Sequence, residues 1–79
     1  MSPTVFREAG FQFVFFSREE SRMHVHALHA LGEVKFWMEP EIELARNTGL
    51  SSRLVMMALR LVREHEDEIR NAWEGRFPG

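Results

Sequence analysis

The chain reads as an α+β domain: a four-stranded, or with one further segment five-stranded, antiparallel sheet of two β-hairpins packed on one long C-terminal helix. Two observations lead there. The first half consists of short aromatic and β-branched runs separated by glycine-bearing breaks, the pattern of strands and tight turns. The last part changes to apolar residues at helical spacing. Its 79 residues suffice for one domain, 1–79, divided into a sheet (1–38), a connector (39–50) and a helix (51–77).

Val5-Phe6 opens the first strand, and Arg7-Glu8-Ala9-Gly10 is expected to turn, with Gly10 free to adopt a positive φ. Phe11 to Phe16 contains only aromatic, β-branched and glutamine side chains and is expected as a strand. Phe11, Phe13 and Phe15 face one side of it, and Val14 and Phe16 face the other. The polar run Ser17 to Arg22 is a loop. His24–Leu28 and Glu33–Met38 form the second hairpin, with Gly32 near its turn. In its second half Val34, Phe36 and Met38 alternate with Glu33, Lys35 and Trp37, as in a half-buried strand. Pro40 stops that strand. Glu39, Glu41 and Glu43 then alternate with Pro40, Ile42 and Leu44, which gives either a short fifth strand near Ile42–Ala45 or an extended connector. Asn47-Thr48-Gly49 is a loop. Ser51 or Ser52 supplies an N-cap oxygen. Leu54, Ala58, Leu61, Val62, His65, Ile69, Ala72, Trp73 and Arg76 then share one helical stripe. Arg60–Glu64, Arg63–Asp67 and Glu66–Arg70 are i,i+4 pairs, and Gly75 with Pro78-Gly79 is expected to end the helix.

Composition narrows the function. The net charge is −2 and no Lys/Arg block stands out, so the electrostatic footprint of a duplex binder is missing. The absence of cysteine excludes disulfides and a thiolate zinc site. It also fits a reducing compartment, and a cytoplasmic location is expected. The N-terminus lacks the basic and apolar stretches of a signal peptide, and no apolar run approaches the ~20 residues of a membrane span.

A chain this short hides only about 60% of the surface its unfolded form exposes, so a partner would help it. The apolar side chains exceed what one helix on one sheet face can cover. Val55, Met56 and Leu59 widen the start of the helix stripe, and Val14 and Phe16 load the second sheet face. Such patches mark interfaces. These five residues are the candidate interface, and the expected partner is a second copy or another protein. The alternative is that the N-terminal arm or Glu39–Leu50 folds over that face.

His24 and His26 are the residues that suggest chemistry. Two apart on a strand, they point to the same face, roughly 7 Å apart along it. They could share a metal ion, with His65, Glu33 or the Glu39/Glu41/Glu43 ladder as further ligands. They could also act as base and acid on RNA, with Lys35 stabilising the developing phosphorane charge. That depends on register. An odd index sum sets His26 opposite Lys35 and His24 opposite Trp37; an even sum puts the histidines with Val34 and Phe36. The plainer reading makes them structural, hydrogen-bonded to a carboxylate or the backbone. His65, alone on an apolar stripe, reads as a core-edge residue. The phenylalanines lack interleaved Lys/Arg, so they suit a core better than a base-stacking platform. Nucleic-acid binding stays open without support from charge. Trp37 and Trp73 are core or interface anchors. No phosphate-binding glycine loop, nucleophile elbow or zinc-protease signature is present. Nothing calls for a cofactor or a resident metal.

Several pieces together resemble one family: Pro3-Thr4-Val5-Phe6, Gly10-Phe11-x-Phe13-x-Phe15-Phe16-Ser17, His24-Val25-His26, Gly32 to Pro40, Leu61-Val62, and Ala72-Trp73-x-x-x-Phe77. In this order and spacing the chain is similar to small bacterial proteins of domain-of-unknown-function family 4160. The resemblance implies no settled activity. It implies frequent encoding beside a protein of domain-of-unknown-function family 2442, in pairs suggested to be toxin–antitoxin-like modules. The partner would then be the product of an adjacent gene. The family usually carries prolines before the first histidine and a valine after the second, where this chain has Arg22-Met23 and Ala27. The expected function is therefore a small protein-interaction domain, with an RNA-directed nuclease or metal-dependent enzyme using His24, His26 and Lys35 as the alternative.

Overall fold

The computed structural model describes residues 4–16 and 21–76. Most of the loop expected at Ser17–Arg22, and the helix stop at Pro78-Gly79, lie outside them. Strands β1 (Thr4–Glu8) and β2 (Phe11–Val14) are joined by a two-residue turn, Ala9-Gly10. Both turn residues are left-handed, at φ 53 and 83, the twist that matches a tight hairpin. The turn is thus shorter than the four residues expected, and Arg7 and Glu8 pair with Gln12 and Phe11. β3 (His24–His29) and β4 (Gly32–Trp37) make the second hairpin. A fifth strand, β5 (Glu43–Thr48), pairs with β4. It runs three residues beyond the short strand expected at Ile42–Ala45 and takes in part of the predicted loop. The sheet is antiparallel in the order β1-β2-β3-β4-β5.

Gly32 begins β4 because nothing larger fits there. A Cβ at this position would collide with the Thr48 carbonyl oxygen of β5. Opposite the middle of β5 the register shifts between Lys35 and Phe36, leaving Ala45 as the extra residue of a bulge. That bulge changes which residues share a face, with consequences at the site below.

The C-terminal segment is not one long helix but two, α1 (Ser52–Glu64) and α2 (Glu66–Arg76). Ser51 caps α1, its hydroxyl accepting from the Leu54 N–H at 3.3 Å. The break falls at His65, whose φ and ψ are −108 and 22. Its imidazole is held from two sides, with Nδ1 2.8 Å from Glu68 Oε1 and Nε2 2.9 Å from Glu8 Oε1 of β1. The ring also stacks on Phe6 at 3.9 Å. Backbone bonds carry through the junction of the two helices, from His65 N–H to the Leu61 oxygen and from Ile69 N–H to the His65 oxygen. Glu66, Asp67 and Glu68 form the first turn of α2, where the positive end of the helix dipole favours acidic groups. Gly75, expected as a stop, lies inside α2.

One sheet face carries Phe11, Phe13, Val25, Ala27, Val34 and Phe36, which join Ala58, Leu61, Val62, Ile69 and Trp73 of the helices in one core. Arg70 fastens α2 to the far end of the central hairpin, donating to the Met38 carbonyl at 2.6 Å and pairing with Glu66 at 2.9 Å. No helix among the described residues is long and apolar enough to cross a membrane.

Candidate functional site

The β3–β4 register is the odd one, with His24 opposite Trp37 and His26 opposite Lys35. The two histidines, Lys35 and Trp37 therefore alternate with the core-facing Val25, Val34 and Phe36 along β3 and β4. Val14, paired with His26, shares their face. Strand alternation makes this a consequence of the register alone.

The histidines are closed in by rings. His24 is 3% exposed and His26 is 5% exposed. The two rings meet edge to face at 5.2 Å. His24 also abuts Trp37 at 5.9 Å and Trp73 of α2 at 5.2 Å. Phe16 packs on His26 at 4.3 Å. His24 Nδ1 donates to the Arg22 carbonyl oxygen at 2.8 Å. His26 Nδ1 lies 3.1 Å from Glu33 Oε2. A carboxylate oxygen can only accept, so Nδ1 carries the proton. That leaves Nε2 as an acceptor, buried and without a hydrogen-bond partner. Burial pushes the His26 pKa below its ordinary value, the hydrogen bond to Glu33 opposes this, and neighbouring His24 and Lys35 add to the lowering. Burial thus favours the neutral ring.

Beside His26 lies a pocket of about 470 Å³ lined by Phe16, His26, Glu33, Lys35, Trp37, Ala45 and Arg46. Lys35 Nζ sits 4.4 Å and Arg22 Cζ 4.1 Å from the centre of the Trp37 ring, a cation–π arrangement. Arg22 also reaches Glu43 at 3.3 Å and the Glu39 carbonyl at 2.7 Å. Because of the bulge, Glu43 pairs with Trp37 and Arg46 with Lys35. Two residues three apart on β5 thus share the pocket face, which regular alternation would not allow.

The structure brings His24, His26 and Lys35 together. Both imidazoles are almost wholly covered, and each holds a backbone or carboxylate partner through Nδ1. His65, considered as a metal ligand, stands on the opposite face of the sheet with Glu8 and Glu68. Among the described residues no three His, Asp or Glu side chains are placed to hold a metal ion together. Of the candidate interface residues, Val14 is fully buried within the chain and Phe16 is half-buried against His26. Val55 and Leu59 are half-buried on the core, while Met56 is 60% exposed. Arg46 was not singled out by the sequence. Only the bulge, invisible in a pattern of side chains, turns it toward Lys35.

Fold and site define a small α+β domain with a closed histidine cluster and a basic pocket at one sheet edge. Residues 10–74 match the family described as Domain of unknown function (DUF4160), and the chain belongs to that family. Comparison with curated proteins and with solved structures returns no match.

Proposed function

We propose that the domain is a protein-interaction module that pairs first with a second copy of itself, through the open edge of β5. One observation carries the reading. Among the described residues β5 is the last strand of the sheet, with no strand on its outer side, and it presents Glu43 and Arg46 on one face. In an antiparallel pair with Glu43 opposite Arg46 of the second copy, two reciprocal ion pairs form by symmetry. Each is worth about 0.2–1 kcal/mol and chiefly selects the register. On the same face Lys35 and Arg46 stand directly opposite each other. Glu43 of the second copy would sit beside that pair. A register centred on Arg46 would instead set arginine against arginine. Leu44, 50% exposed, would be covered at the new seam. Met56 on the following helix offers further apolar surface.

The two-gene, toxin–antitoxin-like arrangement implied by family resemblance would make another protein the occupant of the same edge. Amide exchange measured against protein concentration separates these cases. Self-pairing predicts that exchange in residues 43–48 slows as concentration rises, while β1, at the other edge, is unchanged. A chain that stays monomeric at the highest concentration, or dimerises without protecting β5, overturns the self-pairing. Protection of 43–48 only on adding the neighbouring gene's product assigns the edge to that protein instead.

A further inference from the structure

We propose that the pocket beside β5 binds a phosphate that still carries a proton, either inorganic phosphate or a phosphate monoester in its monoprotonated form. The starting point is His26. It is 5% exposed, and its Nε2 has no hydrogen-bond partner. A buried acceptor left unpaired costs about 1–3 kcal/mol, and such atoms commonly mark the place of a water, ion or ligand.

The surroundings specify the ligand. Nδ1 donates to Glu33, so Nε2 offers a lone pair and needs a donor. The pocket that His26 lines also holds two cations, Lys35 and Arg46, against the one carboxylate of Glu33, which is engaged by His26 Nδ1, so the balance favours an anion. The ligand must therefore combine negative charge with an O–H. A carboxylate, a sulfate and the internal phosphodiester of RNA all lack that proton at neutral pH. Hydrogen phosphate has it. Its O–H would donate to Nε2, and its charged oxygens would accept from Lys35 and Arg46 in the strong, charge-assisted way. Nε2 is closed to solvent and the Phe16 ring packs 4.3 Å from the imidazole, so a side chain around His26 has to move to admit the ligand. The binding does not rest on the β5 pairing. Arg46 is common to both, so phosphate and a second copy would compete for it.

The test is a titration of protein carrying ¹⁵N-labelled histidine, followed at the His26 Nε2 resonance at neutral pH. Inorganic phosphate is the first probe, and sulfate at equal ionic strength is the control. Glycerol phosphate at slightly acidic pH then distinguishes a monoester ligand from the free ion. The proposal expects a saturable Nε2 shift with phosphate, little with sulfate, and an affinity loss of about tenfold or more in Arg46→Ala. That exposed substitution spares the core. An equal response to sulfate, no saturation in the millimolar range, or unchanged binding in Arg46→Ala overturns it. Each of these failures would leave the β5 pairing standing, since that is read from amide exchange and not from His26.

Discussion

The two histidines with shifted proton affinity pull in opposite directions. Burial holds His26 below its ordinary value of 6.5. The unfolded chain therefore takes up this proton first as pH falls. The stability contributed by neutral His26 is complete above 6.5 and is lost as pH falls through the folded value. His65 is the reverse, because the hydrogen bond to Glu68 and then that to Glu8 raise it above 6.5. Its contribution is complete below 6.5 and is lost as pH rises through the folded value. Denaturant titrations across this range should show that His26→Gln flattens the fall on the acid side. His65→Gln should flatten the fall on the alkaline side. Matching pH profiles for the two variants would contradict this account of both sites. Little of this contrast was legible in the sequence. His65 was recognisable as a histidine on an apolar stripe, but its carboxylate partner Glu8 lies 57 residues away in sequence. The exposure of His24 and His26 depended on a parity that hydrophobic pattern left open.

At the scale of elements, Gly32 shows how close approach, and not turn flexibility, can demand a glycine. Gly32→Ala would push a methyl group against the Thr48 carbonyl, forcing β4 and β5 apart. A loss of about 1–3 kcal/mol is expected, measurable by urea unfolding, with the earliest exchange in residues 43–48. Both hairpins, the alternation in β4 and the Ser51 cap were readable, because each is a local pattern with a local cause. The helix break was half readable. Glu66-Asp67-Glu68 is the acidic run that opens a helix, yet the unbroken apolar stripe masked it. The bulge at Ala45 and the length of β5 were not readable. They arise from how β4 and β5 meet, and they decide that Glu43 and Arg46 share a face.

At the scale of the molecule, Phe16, Trp37 and Trp73 pack around the two histidines. Of the two apolar residues expected on the second sheet face, Val14 is fully buried and Phe16 half-buried within the chain. What the fold leaves open is an edge. β5 ends the sheet with nearly all its residues exposed, and native edges are usually guarded by charge. Here the guarding charges are complementary to themselves in one register. Phosphate, by engaging Arg46, should weaken the dimer, and by linkage dimerisation should weaken phosphate binding by the same factor. Sedimentation with and without phosphate checks this. The most direct measurement is sedimentation equilibrium on three proteins: the natural chain, Glu43→Arg, and Glu43→Arg combined with Arg46→Glu. The β5 pairing predicts that the natural chain dimerises, that the single variant is monomeric because arginine faces arginine, and that the double variant dimerises again with the charges exchanged. A single variant that dimerises as well as the natural chain, or a double variant that stays monomeric while folded, would contradict it.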